Sequence, residues 1–81
     1  MAEIAFYRIG YGNLVQVNRV LAMVGPDSAP VKRIIQVAKD LGTLIDATAG
    51  HKTKTVFIMD TDHVVLSAWE IEKILHDASE D

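Results

Sequence analysis

The 81-residue chain contains no cysteine and only two prolines, and aromatic residues make up 6% of it. Without cysteine, neither disulfides nor a cysteine-ligated zinc ion can hold the fold together. No apolar run approaches 18 residues, and the first residues lack a basic segment followed by an apolar one. We therefore expect neither a membrane-spanning helix nor an export signal, and the composition is compatible with a cytoplasmic location.

The chain is short for the size of core it has to build. A domain of this length removes roughly 60% of its unfolded surface from water, and 49% of its residues are hydrophobic. Because burial and lost chain entropy nearly cancel at this size, contact between copies would add useful buried area. The composition therefore predicts a homo-oligomer.

Charge is distributed unevenly along the chain. Residues 1–54 carry seven Lys and Arg against four Asp and Glu, a net +3, whereas residues 55–81 carry one lysine against seven acids, a net −6. The two parts together give the overall −3. An asymmetry of this kind indicates one side that faces a polyanion and another that is solvated.

The first half of the sequence predicts short strands followed by a helix. IAFYRI (4–9) and NLVQV flank a turn bracketed by Gly10 and Gly12, and NRVLAMV (18–24) predicts a third strand that stops at Gly25. The next segment has Ser28 as an N-cap, Pro30 in the first turn and Gly42 after the last turn. Its apolar residues recur at helical spacing, at positions 31, 34, 35, 38 and 41.

The second half predicts a three-strand antiparallel run over 43–67. TLIDAT (43–48) and TKTVFIM (53–59) are predicted to form a hairpin whose tip is residues 49–52, and HVVLSA (63–68) the third strand. Ser67 and Glu70 have the spacing of a capping box before a short C-terminal helix, and the tail 78–81 is predicted to fray. The order of elements predicts one α+β domain over 1–81.

One mainly acidic group of residues has side chains that could bind a metal ion or take part in catalysis. Asp60, Asp62 and His63, with Asp46 on a nearby strand, suggest an oxygen-rich metal site or a nuclease. The preferred interpretation is that the aspartates of the 60–62 turn hydrogen-bond backbone groups two residues further on. We therefore predict no enzymatic activity, no metal, no cofactor and no small-molecule substrate. Trp69 is interpreted as a core or interface anchor rather than a base-stacking platform.

Several signatures carry a resemblance to a known family. They are G-Y-G-N, V-N-R, P-D-S-A-P-V-K-R, L-I-D-A-T-x-G and M-D-T-D-H-V-V-L-S-A. Over about residues 8–68 the chain resembles the RemA family of bacterial regulators of extracellular-matrix and biofilm genes. The resemblance implies a transcriptional regulator that binds double-stranded DNA as a ring, with contacts from Arg19, His51 and Lys52. The family has G-R-R-T-R where this chain has G-H-K-T-K, and lysine suits phosphate better than base edges.

The candidate DNA-binding residues each have an alternative role. Lys52 and Lys54 are expected to point the same way from a strand, but could be ordinary solubilising lysines. Arg19 could instead form an ion pair between subunits. Lys32 and Arg33 lie in the first turn of the predicted helix, where cations oppose the dipole, and could be a solvated face. The alternative function is a self-assembling scaffold that binds a protein partner without DNA.

Overall fold

The computed structural model describes residues 5–79. They form two helices, six strands and a 3₁₀ turn, so the predicted α+β class is confirmed. In chain order these elements are β1 (Phe6–Gly10), β2 (Asn13–Gln16), the 3₁₀ turn (Val17–Arg19), β3 (Val20–Val24), α1 (Ala29–Leu41), β4 (Leu44–Asp46), β5 (Thr55–Met59), β6 (Val64–Ser67) and α2 (Ile71–Ser79). Neither helix of this described part is long and apolar enough to cross a membrane.

The strands form two sheets. β1 and β2 make an antiparallel hairpin, and the other four strands lie in the order β3-β5-β6-β4. β5 pairs antiparallel with both β3 and β6, but β4 pairs parallel with β6. The predicted hairpin between 43–48 and 53–59 is therefore wrong, because β6 lies between those two strands.

Burial explains why β6 takes that central place. Every residue of β6 is buried and so are four of the five residues of β5, as is usual for strands covered on both faces. β4 has only three residues, and two of them, Ile45 and Asp46, are exposed. A short strand that ends in a charged residue suits the edge of a sheet.

Helix α1 forms as its sequence predicts and covers one face of the four-stranded sheet. The Ser28 hydroxyl accepts a hydrogen bond from the Val31 amide at 3.3 Å, and Gly42 ends the helix in a left-handed conformation with φ 78°. Val31 and Ala38 are buried against a group of sheet residues, Val56, Val64 and Leu66.

The β1–β2 hairpin and α2 cover the opposite face. Ile9 and Ile74 pack there against Phe57 and Val65 of the sheet. The fully buried Ser67 hydroxyl joins the layers, since it donates to the Ile9 carbonyl at 2.8 Å and accepts from the Trp69 amide at 3.0 Å.

This use of Ser67 corrects the predicted capping box. Ser67 is the last residue of β6 and α2 starts only at Ile71, so its hydroxyl bonds the β1 backbone instead of the first turn of the helix. The backbone of residues 78–79 continues α2. The rest of the predicted frayed tail, 80–81, and the predicted strand start at Ile4 lie outside the described residues.

Different connections leave the two ends of the four-stranded sheet. At the loop end β3, β4 and β6 finish and β5 begins, with Val24 opposite Val56 and Thr55 opposite Ser67. At the turn end β5 connects to β6, and Val20 lies opposite Met59. The five residues of β5 separate the two ends by roughly 17 Å.

Candidate nucleic-acid interface

Residues 47–54, called the basic loop below, carry three of the predicted DNA contacts. The loop crosses the end of β6 to join β4 to β5, so it is not the tip of a hairpin. Both of its ends are bonded to β6, since the Ala47 amide donates to the Leu66 carbonyl at 3.0 Å and the Lys54 amide to the Ser67 carbonyl at 2.8 Å. The loop is thus fixed to a central, fully buried strand.

An aspartate turn shapes the start of the basic loop. The Thr48 amide and hydroxyl both donate to Asp46 Oδ1, at 3.0 and 2.6 Å. Both hydrogen bonds lower the pKa of Asp46 below its ordinary value, and the bond from the Thr48 hydroxyl has the larger effect. Asp46 lies on a strand, as predicted, and its side chain also shapes the turn that follows. Residues 5–79 hold no group of three His, Cys, Asp or Glu side chains placed to bind a metal ion.

The middle of the basic loop turns sharply outward. Ala49 and Gly50 both have positive φ, 54° and 83°, and the His51 amide donates back to the Thr48 carbonyl at 3.0 Å. His51 and Lys52 follow this turn and are exposed. The compact turn therefore holds the imidazole and the ammonium group toward solvent.

The two lysines of the basic loop have different surroundings. No ion pair or hydrogen bond holds the Lys52 ammonium within the described part of the chain, whereas Lys54 Nζ lies 3.8 Å from Glu70 Oε2. Both groups of that pair are largely exposed, so the attraction is weak. Because β5 starts only at Thr55, strand alternation does not set the relative direction of Lys52 and Lys54.

The β1–β2 turn supports the basic loop from the side. The rings of Tyr11 and His51 are stacked, with centroids 4.9 Å apart and planes inclined by 10°. The Asn13 side-chain amide donates to the carbonyls of Gly10, at 3.1 Å, and Ala47, at 3.5 Å. Sequence reasoning missed Tyr11, because this contact joins residues 40 positions apart; only the G-Y-G-N signature pointed to the turn.

Arg19 lies at the other end of the sheet. Its Nη1 is 3.1 Å from Asp60 Oδ2, and its carbonyl accepts from the Asp60 amide at 2.8 Å. The Arg19 side chain remains 58% exposed. The structure therefore gives Arg19 an ion-pair partner within its own chain and does not bring it next to the basic loop.

Lys32 and Arg33 are exposed residues near the start of α1. That helix begins beyond the loop end of the sheet but packs on the face opposite the β1–β2 hairpin. The two cations are therefore on the other side of the sheet from Tyr11. Arg33 lines a groove whose other walls are mainly apolar.

The turn between β5 and β6 holds the acidic residues of the candidate metal site. The Asp60 carboxylate forms an ion pair with Arg19. Asp62 has a positive φ of 70°, and its amide donates a hydrogen bond to the Met59 carbonyl at 3.1 Å. His63 Nδ1 shares a 2.8 Å hydrogen bond with the Thr61 hydroxyl. These residues form a tight turn, but the predicted bonds from its aspartate side chains to the backbone are absent from the described residues, because the Asp60 carboxylate pairs with Arg19 instead.

Comparison with known proteins agrees with the sequence signatures. The model of the RemA-like family, described as extracellular matrix regulatory protein A-like, matches residues 6–76. The chain belongs to the RemA-like family. A regulatory protein of Carboxydothermus hydrogenoformans is 55% identical over 74 residues, which cover 91% of this chain and 85% of that relative. A second, from Symbiobacterium thermophilum, is 55% identical over 76 residues, covering 94% of this chain and 80% of the relative.

Membership in the RemA-like family gives the chain a general regulatory role. The two relatives above are both named as regulatory proteins, and both come from bacteria. The predicted family is therefore confirmed. The matched region, 6–76, includes both sheets, the basic loop and the Arg19–Asp60 pair.

Proposed function

We propose that this RemA-like chain is a DNA-binding transcriptional regulator of extracellular-matrix and biofilm genes that acts as a ring of identical subunits. The observation that carries the proposal is the basic loop, which presents His51 and Lys52 to solvent while both its ends are bonded to β6. A cationic loop on a rigid support can hold phosphate groups with little loss of conformational entropy on binding.

The chemistry of the basic loop favours the DNA backbone over base edges. Lysine is a point charge with three donors and lacks the planar fork that grips guanine in two places. His51 adds a ring N–H that can donate a hydrogen bond to a phosphate oxygen. We therefore expect affinity to depend strongly on salt and only weakly on sequence.

One copy of the loop is too weak to bind DNA firmly. About two phosphate contacts give a log-log salt slope near −1.8, so fourfold more salt lowers the affinity only about twelvefold. Four subunits on one duplex would neutralise about eight phosphates, and the same salt step would then cost roughly 10⁴. Linking the copies in one particle supplies the effective concentration that a single loop lacks.

An exposed apolar stripe on α1 supports self-association. Ile34, Val37 and Leu41 recur on one side of the helix, and Val37 and Leu41 are 50% and 72% exposed. They line a groove of about 440 Å³ between α1 and the sheet, where Ile58 is also incompletely covered. Contact between copies would remove this apolar surface from water.

A gel-shift titration at low salt tests the proposed function. We expect Lys52→Ala to weaken binding to a promoter-length duplex and the Lys52→Ala/Lys54→Ala double variant to weaken it further. Lys39→Ala is the matched control, since it removes the same charge from an exposed position on α1. If the double variant keeps its oligomeric state and the parent affinity, the basic loop is not the binding site.

The alternative function, a scaffold that binds a protein partner without DNA, is favoured by the same apolar stripe. An unpaired apolar helix face fits a protein surface as well as a second copy. One result distinguishes the two functions. If the purified oligomer does not bind promoter-length DNA even at about 50 mM salt, where phosphate contacts are strong, the scaffold function is favoured.

A further inference from the structure

We infer that the β1–β2 hairpin is a second DNA-contacting element, in which Arg8 and Tyr11 hold the DNA backbone beside the basic loop. The inference deepens the proposed function and rests on it. It concerns residues that were not among the DNA contacts predicted from the sequence. Its basis is the surface that the hairpin forms together with the basic loop.

The hairpin turn and the basic loop form one continuous surface. The stacked rings of Tyr11 and His51 and the hydrogen bond from Asn13 to the Ala47 carbonyl join them. Tyr11 is 53% exposed, so the stack covers only part of this residue. Any polyanion held by His51 and Lys52 therefore meets Tyr11 as well.

The backbone of the turn places Tyr11 in an unusual conformation. Gly10, Tyr11 and Gly12 have consecutive positive φ values of 101°, 58° and 81°. Glycine and asparagine suit such positions, whereas a tyrosine adopts one only when its surroundings favour it. The surroundings here offer the stack on His51 but leave about half of the residue exposed, which points to a function for the exposed ring.

Arg8 supplies the charge on this side of the turn. It is exposed on β1, and no ion pair or hydrogen bond of its guanidinium is present within residues 5–79. Arg8 and Tyr11 line the same shallow groove of about 290 Å³, together with Asn13, Leu14 and Trp69. An unpaired guanidinium next to a phenol can donate several hydrogen bonds to phosphate oxygens.

The chemistry of Arg8 complements that of the basic loop. The basic loop contains lysine and histidine but no arginine. Arg8 would add the planar fork that binds phosphate in two places. Each protomer would then contribute an arginine contact from the hairpin and lysine contacts from the loop to neighbouring phosphates of one duplex.

The test measures DNA affinity and salt dependence of Arg8→Gln and Tyr11→Asn. Asparagine tolerates the left-handed backbone, so Tyr11→Asn removes the ring without new strain. Lys39→Gln is the charge-matched control, on the helix that covers the opposite face. We expect Arg8→Gln to weaken binding at least about fivefold and to reduce the salt slope by about 0.9 per engaged protomer, and Tyr11→Asn to weaken it about threefold.

Trp69 provides a second readout that does not depend on affinity. It is the single tryptophan of the chain and it lines the same groove as Arg8 and Tyr11. At saturating duplex, we expect its fluorescence to change in the parent and in Lys39→Gln. The change should be smaller in Arg8→Gln.

The outcomes distinguish this inference from the proposed function. If the parent binds DNA and the basic-loop variants weaken binding while Arg8→Gln and Tyr11→Asn match Lys39→Gln, the hairpin inference is overturned and the proposed function stands. If the parent binds no DNA, both are overturned. Weaker binding by Arg8→Gln with an unchanged melting temperature supports the inference.

Discussion

Arg19 and Lys54 lie at opposite ends of the same four-stranded sheet. Arg19 directly precedes β3, and its carbonyl is bonded to Asp60 at the turn end, whereas the Lys54 amide is bonded to Ser67 at the loop end. The length of β5 keeps the two ends roughly 17 Å apart. Within one protomer, Arg19 and the basic loop therefore cannot hold the same phosphate group. If both contact DNA, they contact different stretches of it.

Removing the carboxylate of the Arg19–Asp60 ion pair should change the affinity for DNA. Asp60→Asn leaves Arg19 without its counter-charge and removes a negative group from the surface. We expect DNA binding about two- to fivefold tighter by fluorescence anisotropy, with only a small change in stability because the pair is partly exposed to solvent. Weaker binding by Asp60→Asn would show instead that Asp60 orients Arg19.

Alanine substitutions at Gly10 and Gly12 should lower the stability by unequal amounts. A Cβ on Gly10 would lie 2.7 Å from Trp69 Nε1, whereas nothing lies within 4 Å of one on Gly12. Both residues have positive φ, so Gly12→Ala should cost about 1 kcal/mol, and Gly10→Ala should cost about 2 kcal/mol or more because the indole must also move. Urea unfolding measures both, and equal losses would contradict the close approach of β1 to Trp69.

Ser67 predicts a large loss of stability for a small side-chain change. Ser67→Ala leaves the Ile9 carbonyl and the Trp69 amide without their partner in a buried layer. We expect the free energy of unfolding to fall by about 2–3 kcal/mol. Ser28→Ala, which removes only the α1 cap, is the comparison and should cost about 1 kcal/mol. A smaller loss for Ser67→Ala than for Ser28→Ala would refute this role.

Asp46 predicts a defined dependence of stability on pH. Its folded-state pKa is lower than the ordinary 3.8, so its contribution is fully present above 3.8 and is lost as the pH falls through the folded value. The melting temperature of the parent should therefore exceed that of Asp46→Asn at pH 5 to 7, and the difference should shrink below pH 3.8. A difference that stays constant down to pH 2 would contradict the charged hydrogen bonds to Thr48.

The sequence predicts the local elements well and the long-range pairing less well. The cap at Ser28, the end of α1 at Gly42 and the turn over residues 60–62 depend on neighbouring residues, and the structure has all three. The parallel pairing of β4 with β6 depends on which strand is most buried, and short strands alone do not reveal that. The same holds for Ser67, whose partner Ile9 is 58 residues away.

The candidate site, like the fold, could be predicted from the sequence only in part. Composition and motif spacing pointed to His51, Lys52 and Lys54, and the structure places them in one loop. They could not show that Tyr11 supports this loop, since only the fold brings the two turns together. Nor could they show that Arg19 pairs with Asp60, because that contact depends on the register of β3 and β5.

The salt dependence of DNA binding tests the central claim most directly, because it counts the phosphate contacts that many copies of a weak cationic loop make together. Anisotropy titrations of a promoter-length duplex from about 50 to 200 mM salt give the slope of log affinity against log salt. About eight neutralised phosphates predict a slope near −7. A slope near −2, the value for a single protomer, or no binding at about 50 mM salt would contradict the claim.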